Sequence, residues 1–348
     1  MTLERTIVPT SQPRRSATMA DVGAAAGVTA RTVSNVLSGK VGVRDATRDA
    51  VLKAVRDLGY QMNVSARGLR TGLTGMITLA IPDLSIDYFA QLANGVMREA
   101  EAHGWTVIIQ QTGARRETEL AILSGTARQL SDGLIFQPHA LGPGDERLIT
   151  GDQPLVLLGD RIFNGPVDHV AMANAEAADA ATTYLIDRGC RSIAVIGANP
   201  AGGSVSAAAL RLQGHTRALE RAGRGLDDRL VATASEWHQN DGAVAAHRLL
   251  NSGATFDGLF CFNDNLAIGA MSVLLEAGLE IPKDVRVVGF DNVPAAAFSY
   301  PSLTTIDPGL AQIAKTSTDL LARRISDGPP AQPSEIVASF SLVARRSA

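Results

Sequence analysis

The sequence predicts a small all-α helix-turn-helix head followed by a larger α/β body of two doubly wound parallel-sheet lobes. Three observations carry that reading. The 348 residues are 45% hydrophobic and 19% charged, enough apolar matter for more than one core and too little charge for wholesale disorder. The charge is split: residues 1–72 hold 11 Lys and Arg against 5 Asp and Glu, the rest 21 against 30, within a net charge of −3. The texture also changes at residue 76, from short capped helical runs to buried apolar runs alternating with Ala- and Leu-rich helical stretches.

Residues 1–16 read as a flexible arm, polar and without the apolar stretch of a secretory signal, so a cytoplasmic location is expected. Thr18 offers a hydroxyl N-cap and Asp21 an acid at the third helical position, which starts a helix that Gly27 ends. Thr29 caps a second helix over 30–37 with Val33, Val36 and Leu37 inward, and a third covers 45–58 with Val51, Leu52, Val55 and Leu58 at helical spacing. Arg44 stands where that third helix would be capped, and Asp45 is the candidate to take its place. Two short helices about a Gly-Val-Thr turn form a helix-turn-helix unit. The second helix turns Ala30, Arg31, Ser34 and Asn35 outward; Arg pairs with guanine and Asn with adenine in the major groove, and hydroxyls reach phosphates.

In the body, apolar runs at 76–81, 106–109, 133–136, 155–158, 193–196, 259–262 and 285–290 predict buried strands, separated by helices over 89–103, 173–188, 214–222 and 243–251. The region is doubled: residues 75–82 resemble 192–200, and Asp132-Gly-Leu-Ile-Phe resembles Asp257-Gly-Leu-Phe-Cys-Phe. Ligands in such architectures bind at strand C-terminal ends, here in a cleft between lobes. Asp160 and Arg161, Asn263 and Asp264, and Asp291 follow such strands, and Arg211 lies beyond another. No catalytic constellation emerges, and no cofactor or metal is expected: there is no dinucleotide or P-loop glycine motif, no nucleophile elbow, and the six histidines and two cysteines are scattered. A solute-binding protein would suit the cleft, but the basic head and the missing signal oppose it.

Residues 18–37, Thr-Met-Ala-Asp-Val-Gly-Ala-Ala-Ala-Gly-Val-Thr-Ala-Arg-Thr-Val-Ser-Asn-Val-Leu, resemble the amino-terminal signature of LacI/GalR-type bacterial transcriptional regulators. The likeness continues through 43–48, Leu58-Gly-Tyr60 and 63–70, and through body landmarks at 132–135, 263–270, 287–292 and 303–306. It implies a body with a periplasmic-binding-protein-like fold and a regulator, expected to be a repressor and not an enzyme. The implied partners are a pseudo-palindromic operator in double-stranded DNA, a small-molecule effector and a second copy in a homodimer. The base-reading set would be Ala30, Arg31 and Asn35, with Thr18, Thr29, Thr32, Ser34 and Ser38 on the DNA backbone. Residues 63–70 would form a hinge helix whose Asn63, Ala66, Arg67 and Leu69 enter the minor groove; alone it is too short for a stable helix, and Gly68 weakens it further. The effector set would be Tyr88, Phe89, Asp160, Arg211, Trp237, Asn263 and Asp291. Ala173 stands where the family usually has Asp, and Ala177-Ala178 where paired glycines are common, so a neutral or weakly charged sugar is the default effector and a nucleobase-like ligand the alternative.

The expected division is 1–16 arm, 17–62 head, 63–74 hinge and linker, and 75–348 effector-binding and dimerisation body. Within the body, 75–171 with 291–322 would form lobe one, and 172–290 with 323–348 lobe two.

Overall fold

The structure, a computed structural model, describes all residues except 1–16, 38–41, 61–72, 125–129, 151–152, 200–204, 235 and 330–331. The expected arm, Ser38, and the hinge residues Asn63, Ala66, Arg67 and Leu69 therefore lie outside the described residues. The chain divides into two compact units, Met1–Thr71 and Gly72–Ala348.

In the first unit Thr18 caps α1 (Met19–Ala26): its Oγ1 accepts from Asp21 N, while the Asp21 carboxylate accepts from Thr18 N at 2.8 Å. Gly27 closes the helix in the left-handed region (φ 67°). Gly23 lets α1 meet the turn, since a Cβ there would lie 2.7 Å from Val28 O. Thr29 Oγ1 accepts from Thr32 N at 3.2 Å at the start of α2 (Ala30–Leu37). These two helices and α3 (Asp45–Asp57) bury Val22, Val33, Val36, Val51 and Ala54.

Two sequence expectations for α3 are corrected. Leu52 and Leu58 are exposed, and Ala54 is buried in their stead. At 100° per residue Leu52 turns away from the stripe of Val51 and Ala54, and Leu58 lies past the last helical turn as the C-cap. Asp45 does not cap: Arg44 holds the N-cap position, with no side-chain hydrogen bond, and Asp45 is the first helical residue.

The second unit contains two six-stranded sheets. The first has the order β11-β5-β4-β3-β1-β2, with β1 (Met76–Ile81), β2 (Thr106–Gln111), β3 (Gly133–Phe136), β4 (Leu155–Leu158), β5 (Asp168–Met172) and β11 (Glu335–Ala338), all parallel. The second has the order β12-β10-β9-β8-β6-β7, with β6 (Ile193–Ala198), β7 (Val231–Thr233), β8 (Gly258–Cys261), β9 (Arg286–Phe290) and β10 (Thr304–Asp307) parallel and β12 (Ser341–Val343) antiparallel to β10. The apolar runs of the inner strands β3, β4 and β8 are continuous because helices cover both faces. Those helices are α4 (Asp87–Ala102), α5 (Arg116–Ser124), α6 (Asn174–Asp187), α7 (Ala207–Arg221), α8 (Gln239–Asn251), α9 (Asp264–Glu276), α10 (Pro294–Phe298) and α11 (Leu310–Asp327). Among the described residues no helix is long and apolar enough to cross a membrane.

The doubling seen in the sequence is a doubling of strand order, β5-β4-β3-β1-β2 against β10-β9-β8-β6-β7. Even the register repeats, with Ile77 opposite Gly133 and Ile193 opposite Gly258. The expected lobe boundaries are corrected, however. Residues 291–322 do not all belong to lobe one, because β10 extends the second sheet; residues 323–348 do not all belong to lobe two, because β11 extends the first. The strand that finishes the second sheet follows Asp291 instead of preceding it. The chain then crosses back into α11, which packs on α4, β3, β4 and β5, and crosses once more between β11 and β12. Gly309 sits at that passage (φ 76°), where a Cβ would be 2.2 Å from Ser339 O.

Candidate functional site

The head presents α2. Ala30, Arg31 and Thr29 are exposed, and Thr32, Ser34 and Asn35 are half-buried. The hydroxyls of Thr29 and Thr32 lie 3.0 Å apart. Thr18 is exposed, but its hydroxyl donates to Asp21 at 2.7 Å within the cap.

The body holds a cavity of about 600 Å³ between its lobes. All seven residues expected around an effector line it: Tyr88, Phe89 and Asp160 from the first lobe, Arg211, Trp237, Asn263 and Asp291 from the second. Tyr88 and Phe89 open α4 as an edge-to-face pair with centroids 5.1 Å apart. Asp160 follows β4, and Asp291 follows β9 in an unusual backbone conformation (φ 106°).

Arg211, on the second turn of α7, organises the floor. It is 2% exposed; Nε donates to Asn174 Oδ1 at 2.7 Å and Nη1 to the Phe262 carbonyl. Its Cζ stacks 3.5 Å from the Phe290 ring centroid and lies 5.2 Å from that of Trp237. Nη2 stands 3.9 Å from the Asp291 carboxylate. Trp237 is fixed by Nε1 donating to Gly197 O at 3.2 Å. Asn263 is partly committed to the fold: Oδ1 accepts from Leu266 N at 2.8 Å to cap α9, and Nδ2 donates to Trp237 O at 3.0 Å. Asp264, beside it, lies beneath the site, accepting from Val293 N at 2.8 Å and from Thr305 Oγ1.

Burial sets the electrostatics. It raises the Asp291 carboxyl to about 7, with Arg211 opposing and Asp87 reinforcing the rise. It raises Asp160 as well, again against Arg211. Burial pushes the Tyr88 phenol upward, aided by Asp291 and Asp160, and lowers the Arg211 guanidinium, which both carboxyls favour. One guanidinium thus faces two carboxyls that resist ionising, between aromatic walls. Such groups can offer and accept hydrogen bonds together.

Other lining residues were not in the expected set. Arg161 donates from Nε to Leu141 O and from Nη1 to Val205 O at 2.8 Å, spanning the cleft. Asp83 and His238 approach to 3.6 Å across the same cleft. Gln137 and His139 belong to a loop that Glu119 anchors, its buried carboxylate accepting from the backbone N–H groups of His139, Ala140 and Leu141 at 2.8–2.9 Å. Arg161 had a signal, its place beside Asp160 at a strand end. The Glu119 anchor had none, because a lone acid in a helix reads as a solvated one. Ala173 occupies the N-cap of α6 without a side-chain cap bond, and the neighbouring Asn174 is the residue that Arg211 takes.

Comparison with known proteins completes the assignment. Residues 18–63 match the family described as bacterial regulatory proteins, lacI family, and residues 182–348 a periplasmic binding protein-like domain. The ribose operon repressor of Halalkalibacterium halodurans is 33% identical over 312 residues, 90% of this chain and 91% of that protein. The HTH-type transcriptional repressor PurR of Vibrio atlanticus is 29% identical over 313 residues, 89% of this chain and 92% of its own. The crystal structure of the lac repressor dimer bound to operator and the anti-inducer ONPF aligns with a TM-score of 0.82 at 26% identity, covering 96% of this chain and 99% of that one. With a capped helix-turn-helix head, a two-lobed body with a polar cleft, and one-third identity to a repressor along nearly its whole length, the chain belongs to the lacI family of bacterial regulatory proteins.

Proposed function

We propose that this protein is a cytoplasmic, homodimeric repressor whose hold on a pseudo-palindromic operator is controlled by a sugar bound in the cleft. DNA binding and control of transcription are properties of the family to which it belongs. Base reading is assigned to Arg31 and Asn35, with an apolar contact from Ala30; Thr18, Thr29, Thr32, Ser34 and Ser38 would hold the backbone. Asn63, Ala66, Arg67 and Leu69 would enter the minor groove from the paired hinges.

The observation that carries the choice of a sugar is Arg211 set among Asp160, Asp291 and Trp237. A forked guanidinium and partly protonated carboxyls suit adjacent hydroxyls, and an aromatic face suits the apolar side of a ring. A ligand that binds the two lobe arrangements unequally shifts the population competent for DNA; equal binding shifts nothing.

The second reading, a nucleobase, is favoured by the likeness to PurR and by the Tyr88–Phe89 pair, which could cover a planar ring. A thermal-shift titration with pentoses, hexoses, hypoxanthine and guanine tests both. A sugar at 100 times its Kd should stabilise the protein by about 2.7 kcal/mol and change operator affinity in parallel, and Arg211→Ala should abolish both effects. A shift with nucleobases alone would replace the first reading by the second.

A further inference from the structure

The backbone that carries Asp291 is bent where side-chain residues rarely go. Asp291 has φ 106° and Asn292 φ 51°, two consecutive non-glycine residues with positive φ at the floor of the cleft. Such a turn persists only when its surroundings over-determine it. The backbone supplies two bonds, Asp291 N to Ile306 O at 2.8 Å and Asn292 N to Thr305 Oγ1 at 3.4 Å, and Asp264 accepts from Val293 N just beyond. The Asn292 side chain supplies two more: Nδ2 donates to Asp307 Oδ2 at 3.0 Å, and Oδ1 accepts from Arg345 Nη2 at 2.7 Å.

Arg345 is itself built in. Its Nη1 donates to Leu303 O at 2.7 Å and its backbone N to Thr304 Oγ1 at 2.9 Å. Two residues on, Ser347 is fully buried between β9 and β10, accepting from Thr304 N and donating to Val287 O. The same guanidinium is a positive neighbour of the buried Asp264 carboxyl, which burial and Asp291 raise well above the ordinary carboxylate range, against the Thr305 hydroxyl, the Val293 N–H and, more weakly, Arg345. Gly289 admits that carboxyl under β9: a Cβ there would lie 2.2 Å from Asp264 Oδ1. Arg345 does not line the cavity, yet it holds the side chain next to Asp291.

We propose that Arg345 is a positioning residue for the cleft, holding Asn292 so that the Asp291 carboxyl is presented to Arg211. The proposal rests on the reading of the cleft as the effector site only for its consequence. The geometry, and the test below, require no ligand.

The groups facing Asp291 are Arg211 of α7, Asp87 and Tyr88 of α4 and Asp264 of α9, and Asp160 beyond β4 lines the same cavity. The protein has two tryptophans. Trp105 stacks on His103 and would report that imidazole, so Trp105→Phe leaves Trp237, beside Arg211, as the reporter. In the full chain carrying that change, Trp237 emission is followed from pH 5 to 9, with and without Asp291→Asn. The part of the titration that Asp291→Asn removes belongs to this carboxyl, and its midpoint is expected near 7.

Arg345→Gln should let the turn relax and displace Asp291, moving the midpoint by about one pH unit or more: downward where water reaches the carboxyl, upward where the loss of Arg211 outweighs it. Arg345→Lys, which keeps charge and one donor, should recover part of the shift. A fall in melting temperature with an unchanged midpoint would show that Arg345 only supports the fold, and would overturn the proposal. So would a parent titration that Asp291→Asn leaves intact. A failure of sugars to bind would count against the proposed effector and leave this result standing.

Discussion

The two lobes share an order of strands and a way of tying them, and differ in how their helices meet and in what they bring to the cleft. In lobe one the Asp132 carboxylate accepts from the backbone N–H groups of Thr74 and Gly75 at 2.5 and 2.7 Å; in lobe two Asp257 accepts from those of Arg191 and Ser192, each as close as 2.8 Å. Each acid, just before β3 or β8, fastens the start of that strand to the start of its neighbour. The helices diverge. Lobe two packs glycine against backbone: Cβ atoms at Gly214, Gly242 and Gly269 would lie 2.1, 2.1 and 1.8 Å from carbonyl oxygens of facing helices. The corresponding close approach in lobe one, Gly95 on α4 against α11, meets only the Ala314 methyl at 2.9 Å. Repetition of a fold therefore preserves what starts its strands, while helix spacing and cleft chemistry are free to change.

The largest expected effect breaks that comparison at the helices. In Gly269→Ala the new methyl meets the Gln239 carbonyl, which is backbone and cannot turn aside, so α8 and α9 must separate. Overpacking of this kind costs about 3 kcal/mol or more, well above the roughly 1 kcal/mol that alanine gains over glycine in a helix. In Gly95→Ala the obstacle is the Ala314 Cβ, fixed to the α11 backbone, so α4 and α11 must also part, but by less than the 1.8 Å approach at Gly269 demands, and the helical gain offsets part of the cost. Urea unfolding followed by circular dichroism should show a strongly destabilised Gly269→Ala body and a smaller loss in Gly95→Ala. Equal losses would mean that the two lobes pack alike.

The carboxylate ties should behave as a matched pair. Asp132→Asn and Asp257→Asn each turn an acceptor of several N–H groups into an amide that presents donors to some of them. A loss of about 1–2 kcal/mol is expected at each site, similar within error. The paired strand starts are the place to look, by hydrogen exchange at Gly75 and Ser192. A large loss in one lobe alone would show that the tie is decisive in only one of them.

The repeat that carries the ties was legible in the sequence, since Asp-Gly-Leu before an apolar run appears at 132 and again at 257, but the N–H groups that each acid takes, those of Gly75 and Ser192 among them, lie 57 and 65 residues earlier and were not. The seven cleft residues were legible for a related reason, since strand ends and family landmarks are local signals. Less local features were not. β5 begins with Asp168 and His169, a poor apolar run, and buries them through Arg324 and Glu335 from distant segments. β7 has three residues, and β10 and β11 follow Asp291, where the lobe boundary was expected to fall. Leu52 and Leu58 misled because a helical stripe in a short helix is narrower than a list of its apolar residues. Glu119 and Arg345 act through backbone and side-chain partners that no spacing in the sequence announces.

The effect that depends on pH concerns the acids that the lobes contribute to the cleft. Asp160 and Asp291 both have carboxyls raised by burial, Asp291 to about 7. Folding then favours the protonated acid. Between the ordinary carboxylate value near 4 and about 7, the unfolded chain has released a proton that the folded chain keeps, so stability falls as pH rises through this window and is level above it. Asp291→Asn mimics the protonated form at every pH. Its melting temperature should match the parent's near pH 4 and exceed it at pH 8, with the gap opening between. Asp160→Asn should move in the same direction, because its cause is the same. A parent body whose stability rises from pH 4 to 7 while Asp291→Asn stays flat would mean that Arg211 outweighs burial. The second lobe would then hold an ion pair, where the present geometry holds an acid poised between its two forms.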